Sequence, residues 1–167
     1  MRPDYSDEFE AFSEALALEW YLHRSGQKSR LELEPVYGRY ADLFRHEEIA
    51  ALRSEAETAY LERDRKGCRY LAAAAVEHHV ASLARPLTEA IEGHDAQATV
   101  VSGGASVPMR AVPVLLANEP RADVRNDLAS RAERLVAETN DLRAERLERV
   151  ASAATALGAS SWGALRS

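Results

Sequence analysis

The chain has 167 residues, 46% of them hydrophobic and 29% charged, a balance that supports a buried core and argues against disorder. A compact fold of this length buries roughly 70% of the unfolded-chain surface, and we expect one helical domain over residues 1–167. With 27 acidic and 21 basic residues the formal charge is −6, which disfavours nonspecific nucleic-acid binding. Cys68 is the one cysteine, so no internal disulfide forms, and no stretch approaches the roughly 20 apolar residues of a membrane span. The opening MRPDYSDEFE lacks the apolar core of a signal peptide, and the expected location is cytoplasmic.

Ser6 or Asp7 is expected to cap a first helix in which Phe9, Phe12, Leu16, Trp20 and His23 share one face. Ser25 and Gly26 end it, and a polar connection leads to Pro35, a first-turn residue for a short helix carrying Tyr37, Tyr40, Leu43 and Phe44. A third helix is predicted from about Glu47 to Asp64, burying Ile49, Leu52, Ala56 and Tyr60, with a turn at Arg65 to Gly67. Beyond Cys68, the positions Leu71, Ala75, Val76, Val80, Leu83, Leu87 and Ile91 predict a long helix ending at Gly93 and His94. Pro86 removes a backbone donor and crowds the preceding turn, so a kink near Leu83 or two abutting helices are expected.

Thr99 to Val101, Gly103-Gly104 and Ser106 to Arg110 read as a tight β-hairpin. Pro108 and Pro113 keep its second strand out of any larger sheet, so the hairpin is an accessory. From about Asn118, with Pro120 in the first turn, Val124, Leu128, Leu135, Leu142, Val150, Ala154 and Leu157 follow a largely heptad-like pattern that Asn140-Asp141 is expected to break. The expected class is therefore mainly α, an elongated multi-helix domain with one short accessory β-hairpin at about residues 98–110.

Chemistry-bearing residues are sparse. His46-Glu47-Glu48-Ile49-Ala50 begins like a zinc-peptidase helix, but Ala50 stands where the second histidine is needed, which leaves a solvated helix N-terminus. In Glu77-His78-His79 the adjacent imidazoles point about 100° apart on a helix and do not chelate one ion, so one is expected to pack and the other to face solvent. His94-Asp95 reads as helix capping, and Cys68 as a small buried or half-buried hydrophobe without a local histidine to activate it. Ser102 to Ser106 is glycine-rich but lacks the lysine and helix start of a phosphate loop. The charge-rich run Arg121 to Arg149 reads as a solvated face. Nothing assigns a catalytic, cofactor-binding or metal-ligating residue.

The order of elements resembles the N-terminal helical region of the thimet oligopeptidase and oligoendopeptidase F family of zinc metallopeptidases. The stretches that carry the likeness are FEAFSEALALEWYLHRSGQKSRLELEPVYGRYADLF, the hairpin segment TVVSGGASVPMRAVPVLLANEPRADVR, and the closing ALGASSWGALRS. In that family a hairpin or extended segment precedes a helix opening with an Asp-Arg pair and a further arginine one turn on. Here Pro120-Arg121 and Arg125 stand in that region, without the acidic residue of the pair. The family's zinc-binding HExxH helix lies beyond the region resembled, so no catalytic residue carries over.

What the resemblance implies is a non-catalytic portion, truncated or split from a metallopeptidase and inactive alone, that forms one wall of a channel for short peptides. Such a wall is expected to pair with a separate catalytic chain or with a second copy as a homodimer. The competing expectation is an autonomous helical interaction module that dimerises through Leu128, Leu135 and Leu142. A third is a small ligand-binding bundle with Trp20, Tyr37 and Tyr40 around a pocket.

Overall fold

The first helix, α1, spans Tyr5–Arg24 in a computed structural model that describes residues 4–158. Its predicted face is its buried face: Phe9, Phe12 and His23 are buried, and Leu16 and Trp20 are partly so. The helix begins earlier than expected, with Asp4 at the N-cap, so Ser6 and Asp7 lie within it. Asp7 and Glu8 still act there, as carboxylates beside the positive end of the helix dipole. Gly26, at φ 78°, turns the chain away from the helix end.

Two inward carboxylates hold the next segment in place. Glu19, buried on α1, accepts bonds from Lys28 Nζ at 2.8 Å and from the Glu32 amide at 2.6 Å. Helix α2, Glu34–Arg39, has Pro35 in its first turn, and Glu89 Oε1 receives the Leu33 and Glu34 amides at 2.5 and 3.1 Å. Free amides at a helix start need an acceptor, and a remote carboxylate supplies it here. The rest of the expected second helix is a separate 3-10 turn, Ala41–Phe44, that buries Leu43 and Phe44.

Helix α3, His46–Thr58, buries Ile49, Leu52 and Ala56 as predicted, but it stops short of Asp64 and leaves Tyr60 95% exposed outside it. The break falls at residues 59–61, and the expected turn at Arg65 to Gly67 lies inside α4, Glu62–Gln97. Arg65 explains part of the shift, since it pairs with Glu62 and donates to the Ala59 carbonyl, closing the start of α4. A glycine inside a helix costs only about 1 kcal/mol, too little for Gly67 to end one so long. Helix α4 also runs past Gly93 and His94, and Pro86 sits within a single helix of 36 residues, ~54 Å at the usual rise. Burial of Ala84, Leu87 and Ile91 around the proline offsets its cost of about 3 kcal/mol. Leu83, by contrast, is exposed.

Strands β1, Thr99–Ser102, and β2, Ala105–Pro108, pair antiparallel with Val100 opposite Val107. Gly103 and Gly104 have φ of 59° and 83°, as a two-residue type I′ turn requires. Arg110, expected in the strand, lies in a 3-10 turn at Met109–Ala111. The segment after it forms a helix that the sequence pattern does not announce: α5, Val112–Asn118, with Pro113 in its first turn. Asn118 therefore ends a helix and caps none. Helices α6, Ala122–Ala137, and α7, Asn140–Ala156, meet beside the expected break at Asn140-Asp141.

Apolar packing gathers in two clusters. One joins α1, α2, α3 and the first half of α4 around Phe12, Tyr37, Phe44, Leu52 and Val76. The other joins Val100 of the hairpin, Val112 of α5, and Leu128 and Ala132 of α6. Helix α7 packs along α4 and runs antiparallel to it, with Arg143 near its start bonded to Asp95 and Leu157 past its end against the first cluster. The closing segment with Trp162 lies outside the described residues.

Phe12 is fully buried and meets Tyr37, Tyr40, Phe44 and His78 edge-on. Phe12→Ala is expected to cost about 3–5 kcal/mol in urea unfolding, against a change within about 0.5 kcal/mol for the exposed Leu147→Ala.

Candidate functional site

The side chains with most chemical capacity converge where α2, the 3-10 turn at Ala41–Phe44 and the start of α3 face the middle of α4. A cavity of about 470 Å³ there is lined by Tyr37, Phe44, His46, His79, Ser82 and Arg85, among others. His79 Nδ1 lies 2.9 Å from the Phe44 carbonyl, so the ring carries its proton on Nδ1 and donates it. The His46 ring, at the first residue of α3, packs on His79 with centroids 4.8 Å apart. Behind this wall the Tyr37 hydroxyl lies 3.3 Å from His78 Nδ1. Arg85 is paired with Glu34, and its Nε is buried with no partner among the described residues.

Burial sets the protonation of these groups. Desolvation lowers the pKa of both His78 and His79 below the ordinary 6.5; the nearby Glu77 charge opposes this at His78, and the Phe44 carbonyl does so at His79. Burial likewise pushes the Tyr37 phenol up to about 12, which makes it the donor to a neutral His78. Burial thus favours the uncharged form of His79, which lines the cleft, and of His78 behind it. Ser82 Oγ donates to the His79 carbonyl at 2.7 Å and not to an imidazole, so this serine is not paired with a base for nucleophilic attack. Among the described residues no group of three His, Cys, Asp or Glu side chains is placed to hold a metal ion.

No family model, curated protein or solved structure matches the chain. Its function is therefore read from its own residues.

His46 is exposed at the helix N-terminus, with Glu47 and Glu48 in the first turn, as its sequence pattern predicts. The histidine pair behaves differently from expectation. Neither ring is left in solvent: His78 enters the aromatic cluster, and His79 reaches over to Phe44 and His46. The 3-10 turn, without a sequence signal of its own, is what covers the second ring. Cys68 is buried, and burial raises its thiol pKa, which keeps it protonated and inert. Tyr37 and Tyr40 line separate cavities, and Trp20 carries the Arg24 guanidinium 4.5 Å above its ring, so the three do not form one pocket.

His94, in the last turn of α4, does more than cap. Its Nε2 meets Glu138 at 3.1 Å and its Nδ1 meets Asp95 at 3.3 Å, while Arg143 bonds Asp95 at 3.0 Å. The hydrogen bond that His94 donates to Glu138 raises the His94 pKa above 6.5. Two residues that sequence reasoning misses, Glu19 and Glu89, carry much of the architecture; the only signal for them is that a helix start without its own capping side chain needs an outside acceptor. No described helix is long and apolar enough to cross a membrane.

The two kinds of histidine predict opposite pH effects. His78 and His79 have folded-state pKa values below the unfolded 6.5, so unfolding takes up protons and their contribution to stability is lost as pH falls below about 6.5 towards the native values. His94, raised above 6.5, contributes most in acid and loses its contribution as pH rises through its native pKa. Urea unfolding between pH 5 and 8 should show His78→Gln flattening the acid-side loss and His94→Gln flattening the alkaline-side one. Imidazole NMR titrations should place His78 and His94 on opposite sides of the ordinary value.

Proposed function

We propose that this chain is the non-catalytic N-terminal portion of an oligopeptidase-like zinc metallopeptidase, forming one wall of a channel for short peptides and completed by a catalytic chain. The observation that carries the reading is the hairpin-to-helix passage. Val100 and Val107 of the hairpin pack on the α6 cluster, and Arg125 of α6 donates to the Glu119 and Pro120 carbonyls, both at 2.8 Å, fixing the corner where α6 begins. Glu119 also accepts from Arg121 Nε and from the Arg121 amide, both at 3.0 Å. An acid-arginine pair thus stands at the corner, supplied by Glu119 from the far side of Pro120. The neutral donors and acceptors of the imidazole cleft suit peptide amides, which carry no charge to be desolvated.

A dimerisation module working through Leu128, Leu135 and Leu142 is less well supported. Leu128 is 3% exposed under the hairpin and Leu135 packs against the same cluster, so these two leucines are used within the chain.

The reading is tested with purified protein. Alone, it should release no product from a short test peptide and hold no stoichiometric zinc by metal analysis. Combined with an HExxH-bearing catalytic portion of the family, it should restore cleavage. Unaided hydrolysis, stoichiometric zinc, or no gain on combination overturns the reading.

A further inference from the structure

The end of α1, the loop after it, the end of α4 and the 3-10 turn after the hairpin enclose a cavity of about 430 Å³. His23, Gly26, Lys28, Arg30 and Arg110 contribute to its wall, which contains no acidic residue. In a chain of formal charge −6 this is a local reversal of sign. Lys28 is committed to Glu19 and Glu32, and Arg30 acts on Glu32 only through space. Arg110 has no ion-pair partner among the described residues. The neighbouring cavity, of about 210 Å³, shares His23 and Arg110 but carries Glu92 and Asp95, so an anion is directed to the acid-free side.

Two further features shape the wall. The His23 side chain is only 4% exposed, yet its Nδ1 has no hydrogen-bond partner among the described residues, and its Nε2 stands 3.9 Å from Glu92, beyond hydrogen-bond reach. Nδ1 is sealed from solvent, so the ring serves the cavity as wall and not as a ligand. Gly26 makes room for the cation: a Cβ there would lie 3.0 Å from Arg110 Nη1. Three of the last four carbonyls of α1 are already taken, those of Tyr21, Leu22 and His23 by the Ser25, Lys28 and Gly26 amides.

We propose that this cavity binds the oxyanion group, carboxylate or phosphate, of a small molecule. Arg110 supplies the charge and a planar pair of donors. Arg30 adds field at the rim, and the His23 ring forms part of the wall. This inference is independent of the metallopeptidase reading.

The test is an NMR titration of the full chain at constant ionic strength, with inorganic phosphate in one arm and acetate in the other. Saturable shifts at the His23 imidazole are expected in at least one arm. Saturation by phosphate alone identifies a phosphate site, and saturation by acetate identifies a carboxylate site. Arg110→Gln changes an exposed side chain and should weaken binding at least tenfold with the melting temperature unchanged. Arg30→Gln, also exposed, serves as a second variant and should weaken binding severalfold. The proposal is overturned if neither anion gives a saturable shift, if chloride gives the same shifts, or if both variants bind as tightly as the parent.

Discussion

Everything else in the fold is placed by the requirement that α4 be buried along more than one side for most of its length. Its first half meets the aromatic cluster through Ala72, Ala75 and Val76, and α7 lies along it on the return path. Small residues let neighbouring helices approach closely, and close approach multiplies weak dispersion contacts. A helix so enclosed tolerates features that end helices elsewhere. Pro86 and Gly93 lie inside it because tertiary burial outweighs the local costs of proline and glycine, while Gly67 lies in its exposed first turns at a cost of only about 1 kcal/mol.

Carboxylates supply the second organising device. None of the seven described α-helices is capped by a side-chain bond from its own N-cap residue. For α2 the acceptor comes from Glu89, more than fifty residues away in sequence, and Glu19 does similar work for the Glu32 amide. Both carboxylates tie loop backbone to a long helix. That arrangement sets the position of the 25–33 connection, and with it the walls of the cavity around His23 and Gly26.

The molecule thereby separates two kinds of polar environment. Around His78 and His79, desolvation keeps imidazoles neutral and suited to hydrogen bonding with uncharged groups. At the C-terminal end of α4, His94 sits among Asp95, Glu138 and Arg143, where opposite charge favours its protonated form. The same side chain is thus given contrary properties by position on one helix.

The sequence alone determined the helical class, the hairpin and its Gly-Gly turn, and the buried faces of α1 and α3, because these follow from periods of 3.6 and 2 and from backbone freedom at glycine. It also determined that His46 lacks a metal partner at Ala50. Helix boundaries escaped it: Ser6, Asp7 and Asn118 look like caps locally, but the acceptors that start these helices lie elsewhere or are absent. The cover over His79, the burial of Leu128 beneath the hairpin, and the meeting of His23 with Arg110 were decided only by tertiary structure. Each joins segments distant in the chain, and no local pattern encodes which distant segment will desolvate a given side chain.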